Sequence, residues 1–303
     1  MGYNLLLLLA AAIWGSGFVA QSLGMKDLGP FGFTGARFLV GSASLIPFCL
    51  YLYIKGKFSG STIKDILMAG LLVGCILFIA ISFQQVGLQF TTAGNAGFIT
   101  SLYVILVPIL GIFLKKKTNI NIWVGCFIAA IGLYLVSVGR DFKINYGDIL
   151  QLIGAFFWAA HILTIDHFSR KVSPVILSFV QFFICGIIGL IIAFFFENII
   201  FSNVLISWKP ILYSGIMSVG IAYTLQVVAQ EKTHPSVAAI ILSLEAVFAV
   251  IFGVLFLNES ISFRMFIGCG LMLIGILLPQ INFTQIWDKN KKNLPRKKEK
   301  EVG

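Results

Sequence analysis

Ten apolar runs follow one another through the chain, at roughly residues 4–23, 31–54, 64–86, 92–114, 120–139, 147–168, 174–196, 209–230, 235–257 and 263–283. Each is about as long as the ~20 residues that an α-helix needs to cross the hydrocarbon core of a bilayer. Short punctuation separates them: Gly29-Pro30, Lys55-Gly56-Lys57, Lys115-Lys116-Lys117, Arg140-Asp141, Ser173-Pro174 and His234-Pro235. Breaks this short make consecutive helices antiparallel neighbours. A water-soluble fold is excluded. Hydrophobic residues are 58% of the chain and charged residues 11%, against about a quarter in soluble domains. The chain is therefore read as an all-α membrane protein with ten transmembrane helices and the lipid bilayer as its solvent. The N-terminal run has no basic residues before it and is too long for a signal h-region, so it is read as the first span.

The placement of charge says more than its sum of +10. With the N-terminus inside, the inner segments carry sixteen Lys and Arg and the outer segments six. That bias predicts that both termini are cytoplasmic, and the expected location is the plasma (inner) membrane. Seven of the basic residues lie after Trp287, in a tail at 284–303. Beside a membrane span such a tail is an electrostatic anchor on the inner leaflet, and no nucleic-acid partner is inferred from it. The five cysteines all stand inside apolar runs, with no CxxC and no Cys/His cluster. They are expected to be core residues, and neither a metal nor a cofactor is expected.

The two halves of the chain repeat each other. Trp14 and Trp158 are 144 residues apart, as are Pro30 and Pro174. Gly70 matches Gly215, Ser101-Leu102 matches Ser243-Leu244, and Gly111 matches Gly253. WVGCFIAAIG at 123–132 matches FIGCGLMLIG at 266–275. The expected organisation is a first repeat at 1–140, a second at 141–283, and the tail. Five spans per repeat is an odd number, so the second copy inserts upside down. Inverted repeats around a central cavity are the architecture of secondary transporters, with the substrate site near the midplane between the copies.

Trp14-Gly15, Pro30 followed by Arg37, and the stretch HPSVAAIILSLEAVFAVIFGVLFLNESIS at 234–262 carry a family resemblance. On these residues the chain resembles the EamA-like family of the drug/metabolite transporter superfamily, over nearly everything up to residue 283. The resemblance implies a ten-helix bundle that moves metabolites such as amino acids by alternating access. Two positions depart from the pattern. Ala246 follows Glu245 where the family commonly has Pro, which argues against a family-style kink in the ninth helix. Lys116 stands at the first-repeat counterpart of Glu259, so one copy lacks that acid.

Polar groups inside a bilayer are costly unless they face a cavity or a partner, so those present should mark a route. Glu245, near the middle of the ninth run, is a candidate proton carrier; a protonated glutamic acid hydrogen-bonded to a neighbouring helix backbone is the other reading. Its counterpart in the first repeat is Tyr103. His161, near the middle of the sixth run, is either a ligand or proton carrier, or a satisfied structural histidine. Trp14 and Trp158 could flank a substrate from opposite repeats, or simply pack. Arg37 could draw a carboxylate into an outer vestibule, or snorkel to the outer headgroups. Asn95 and Thr100 with Ser101, Tyr223 and Gln226, and Gln84 with Gln85 could add hydrogen bonds to a substrate or only join helices. Asp166 and Arg170, four residues apart, read as a local salt bridge. GLLVG at 70–74 permits close helix packing, and Pro47 and Pro108 are candidate hinges.

The predicted function is secondary transport of a small zwitterionic or weakly polar metabolite, an amino acid or a relative, in the export direction, with protons as the candidate coupling ion. The competing class is an intramembrane hydrolase, with Ser16 and His161 imitating a nucleophile and base. The chain carries no HExxH, paired-Asp or Walker sequence to support that class.

Overall fold

A computed structural model describes residues 2–25, 27–56, 61–91, 93–137, 145–198, 201–257 and 262–280. Arg140, Lys143, Glu259 and the basic tail lie outside the described residues. Among the described residues the structure is helical, without a strand. Helix α1 is Gly2–Gly24 and α2 is Pro30–Ile54, broken at Leu45. Helix α3 is Ile63–Gly87, and α4 comes in two pieces, Ala93–Ser101 and Tyr103–Phe113. Helices α5, Ile120–Ser137, α6, Tyr146–Phe168, and α7, Pro174–Phe196, follow. A short helix, Phe201–Ile206, precedes α8, Trp208–Gln230. Helix α9 is also in two pieces, Pro235–Leu242 and Glu245–Leu257, and α10 is Phe263–Leu277. Helices α2, α3, α4, α6, α7, α8 and α9 hold stretches long and apolar enough to cross a membrane; α1, α5 and α10 contribute shorter ones.

The helix ends follow from local chemistry. Thr62 and Asp65 form a capping box at the start of α3, and Asn145 and Asp148 form another at α6. Each satisfies two backbone N–H groups that the first turn would leave open. Pro30, Pro174 and Pro235 open α2, α7 and α9, where a missing N–H costs nothing. The carboxylate of Glu197, just past α7, accepts from the backbone N–H of Phe31 and Gly32 at 2.8 Å each, which pins the start of α2.

The helix breaks only partly follow the prolines. The α2 break sits at Leu45, just before Pro47. In α4 the break is at Leu102, while Pro108 lies inside an uninterrupted helix. The corresponding break in α9 falls at Ser243-Leu244, although Ala246 follows where a proline was expected to be needed. There the chain tightens to three-residue hydrogen bonds, Leu244 N–H to Ile241 O at 3.2 Å and Ala246 N–H to Ser243 O at 3.3 Å. Leu102 N–H to Ile99 O, at 3.2 Å, does the same in α4.

Helix α2 packs against α7 and α8, α3 against α6 and α7, α1 against α8 and α9, and α5 against α10. The glycines permit the close crossings. A Cβ at Gly125 would lie 2.6 Å from the Gly275 carbonyl oxygen, and one at Gly132 would lie 2.6 Å from that of Gly268. Gly70 and Gly74 of GLLVG press on Val180 and on Gln181 and Ile184 of α7 in the same way. The outer surface is inverted relative to a soluble protein. Phe113, Phe194, Phe196 and Phe263 are exposed, whereas Gln85, Gln151, Gln181 and Gln230 are buried. Such a surface fits lipid, and several of the buried polar groups pair with one another, as Gln226 does with Gln230 and Gln151 with the Gln84 carbonyl.

Candidate functional site

Helices α1, α2, α3, α4, α6, α8 and α9 surround a central cavity. Its wall contains Trp14 and Gln21 from α1, Arg37 from α2, Gln84 from α3, and Thr100 and Tyr103 from α4. Helix α6 adds Trp158 and Ile162, α8 adds Ser218, Tyr223 and Gln226, and α9 adds Leu242 and Glu245.

Glu245 sits on the first turn after the α9 break. Its Oε1 accepts from the Ser101 hydroxyl at 3.0 Å and from the Tyr103 hydroxyl at 3.3 Å. Both donors come from the α4 break, so the two irregular points meet across the cavity. The partners are side chains of α4, not its backbone. Tyr103, the position matching Glu245 in the first half, is one of them.

Trp14 and Trp158 both reach the cavity, but Tyr223 stands between them. Its ring centroid lies 4.5 Å from that of Trp14, and it stacks parallel to Trp158 at 6.0 Å. The pair therefore does not flank an open slot. Tyr223 ends a ten-residue stretch of α8, Ser214–Tyr223, wound with π-helical spacing. Such wide turns change which residues face inward and often occur at functional sites. Within that stretch, the Ser218 carbonyl accepts from the Trp14 indole at 3.2 Å.

Arg37 is 1% exposed. It does not snorkel: its guanidinium turns inward over the rings of Phe33 and Phe38, at 5.5 and 5.1 Å. His161 is buried and lies outside the cavity wall. Its Nε2 pairs with Gln181 Oε1 at 3.0 Å, and its ring meets Trp158 and Tyr223 edge-on. It supports the aromatic wall from behind. Gln226 donates to Gln230 at 2.9 Å, and Gln84 reaches Gln21 at 3.4 Å. The side chain of Asn95 falls outside the described residues.

One turn beyond Ile162, on the same face of α6, Asp166 is fully buried. Arg170 donates to it at 2.7 Å, as the four-residue spacing anticipated. Lys116 pairs with its other oxygen. Lys116 is delivered by a tight helix end. Lys116 N–H bonds Gly111 O and Lys115 N–H bonds Ile112 O, both at 2.9 Å, with Lys115 in the left-handed region at φ 56°.

The comparison with known proteins bears on this geometry. The EamA-like transporter family matches residues 1–138 and again residues 145–279. The chain belongs to the EamA-like transporter family. A relative named as an uncharacterized transporter of Archaeoglobus fulgidus is 35% identical over 276 residues, covering 90% of this chain and 83% of its own. A relative named as the uncharacterized transporter YetK of Bacillus subtilis is 29% identical, covering 94% of this chain and 88% of its own. A WAT1-related chloroplastic protein of Arabidopsis thaliana is 25% identical over 90% of this chain and 67% of its own. A solved crystal structure superposes with a TM-score of 0.77 over 94% of this chain and 98% of that one, at 17% identity. This EamA-like protein is accordingly a membrane transporter of the drug/metabolite superfamily.

The imagined hydrolytic dyad is not assembled in this transporter. Ser16 bonds the Ile13 carbonyl at 2.7 Å and lies 2.5 Å from the Tyr213 hydroxyl, while His161 is engaged with Gln181. Sequence reasoning missed Ser218, Ile162 and Leu242 in the wall. Nothing in the sequence distinguishes them from residues on any apolar helix face.

Proposed function

We propose that this transporter moves a small zwitterionic or weakly polar metabolite, of the amino-acid type, out of the cell by alternating access. In this reading ten spans form two inverted five-helix repeats, 1–140 and 141–283, around the cavity. The observation that carries it is the meeting of Glu245 with Ser101 and Tyr103 at the two helix breaks. Irregular backbone at membrane depth is tolerated where it lines a cavity, and in transporters that is where substrates and ions bind.

Two further observations support the repeat. Exchanging the halves turns the contact of α1 with α8 into that of α6 with α3, and α2 with α8 into α7 with α3, and both contacts of each pair occur. The exchange also turns the Gly125–Gly275 crossing into the Gly132–Gly268 crossing. Paired crossings of this kind are what a two-fold relation between the halves would produce.

Glu245 is the proton-responsive group of the cycle in this reading. Asp166 with Lys116 and Arg170 seals the end of the α6 stripe that runs from Trp158 through Ile162, and it joins the first half of the chain to the second. By the charge bias this sealed end faces the cytoplasm, with both termini on that side of the plasma membrane. The test is counterflow in proteoliposomes against amino acids, nucleosides and sulfonium cations of the S-adenosylmethionine type, with and without a pH gradient. Exchange of an amino acid that responds to the gradient supports the proposal. Exchange of none of these classes overturns it.

A further inference from the structure

We infer that the transported molecule carries a carboxylate and that Arg37 is the residue that binds it. The inference rests on the transporter reading and narrows its substrate. A guanidinium has five N–H donors and no acceptor. Arg37 is buried to 1% exposure in the cavity wall, yet its Nε and Nη2 have no hydrogen-bond partner. Its guanidinium lies over the rings of Phe33 and Phe38 on its own helix, which can attract the cation but cannot accept its in-plane hydrogens, and near Tyr223 and Cys185, neither of which bonds Nε or Nη2.

No described carboxylate is available to it. Asp166 is held by Lys116 and Arg170, and Glu197 by the start of α2. Asp148 accepts from Thr91 and the Asn145 N–H, and Glu245, in the same cavity, accepts from Ser101 and Tyr103. Asp65 caps α3 at the surface, Glu231 pairs with Lys232, and Asp27 is exposed. A buried cation left without a counter-charge is a large cost that a fold carries only for a reason.

The fork of the guanidinium matches a planar carboxylate in two parallel bonds. Glu245 aside, the wall is neutral and aromatic, and its single cation suits one carboxylate better than a phosphate dianion. Trp14 and Tyr223 offer apolar faces to the rest of the molecule.

Two measurements decide it. In the first, the thermal stability of the ligand-free protein in detergent is compared for wild type, Arg37→Gln and Arg37→Lys. Removing an unpaired buried charge should raise the melting temperature of Arg37→Gln, whereas loss of a structural arginine would lower it. In the second, L-phenylalanine, 3-phenylpropanoate and 2-phenylethylamine, with the matching leucine series, are competed against whichever compound exchanges in the counterflow screen. The two carboxylates should compete at least tenfold better than the amine. Arg37→Gln should abolish that preference, and Arg37→Lys should retain part of it. A substrate without an anionic group, or one whose exchange is unchanged in Arg37→Gln, overturns the inference and leaves the transporter reading standing. Exchange of nothing in the screen overturns both.

Discussion

At the scale of single residues, Glu245 has the most testable chemistry. Its carboxyl is held by two hydroxyls from α4, so its protonation is tied to whether the α4 and α9 breaks stay together. A carboxylate accepts both bonds, whereas a protonated acid has its own hydrogen to place. Glu245→Gln keeps the size and an acceptor oxygen but cannot ionise. It is expected to retain substrate binding and to flatten the pH dependence of transport, read as initial counterflow rate from pH 5.5 to 8. A wild-type pH profile in this variant would make Glu245 structural. His161 would then be the next residue to test, although Gln181 holds its Nε2. Site residues were legible in the sequence where they were chemically conspicuous. A carboxyl, a guanidinium or an indole in an apolar helix needs a polar destination, and Glu245, Arg37 and Trp14 have one. Direction was not legible. Nothing in the spacing told whether Arg37 pointed to headgroups or inward, because that depends on Phe33 and Phe38 and on the neighbouring helices.

At the scale of helices, the ends carry information that the apolar periodicity lacks. Lys115 adopts a left-handed conformation, which costs an L-residue roughly 1–2 kcal/mol and glycine little. The geometry turns Lys116 onto Asp166. Lys115→Gly should relieve about 1 kcal/mol and raise the apparent melting temperature in detergent, while Lys115→Ala should not; an equal response of the two would remove the strain argument. His234 offers a second check. It caps α9 by accepting the Ser236 N–H on Nδ1 at 3.3 Å, and that bond needs a neutral ring. Burial lowers its pKa from the usual 6.5, opposed by nearby Asp166 and by a hydrogen bond to the Lys117 backbone. The folded state therefore binds fewer protons at this site than the unfolded chain. The contribution is fully present above about pH 6.5 and is lost as pH falls through the lower folded value. His234→Asn keeps a capping side chain without a titrating ring. Its melting temperature should fall less than that of wild type between pH 7 and 5; an identical fall would exclude His234. The salt bridge of Asp166 shows the limit of sequence reading at this scale. Its i,i+4 partner Arg170 was visible locally, but Lys116 lies fifty residues away, and only the fold brings it there. The break in α9 is similar. Proline was the expected signal, yet the Ser-Leu pair shared with α4 marks the position in both helices.

At the scale of the whole molecule, orientation joins the charge pattern to the mechanism. Buried Asp166, with the more exposed Lys116 and Arg170 paired to it, stands at one end of the α6 stripe, near the basic residues Lys115, Lys117 and Lys171. The capping box of Asn145 begins α6 at the opposite end. Basic residues are retained on the cytoplasmic side, so the cluster should face the cytoplasm and the start of α6 should face out. Two exposed positions test this without disturbing either device. Tyr146 lies beside the Asn145 cap, and Lys115 precedes the salt-bridged Lys116. The five native cysteines, buried or half-buried, are first replaced by serine or alanine. A cysteine at 146 should then react with an impermeant maleimide in intact cells, and one at 115 only after permeabilisation. The reverse pattern would place the Asp166 cluster outside. That outcome would overturn the assigned orientation while leaving the paired glycine crossings and the Glu245 contact as they are.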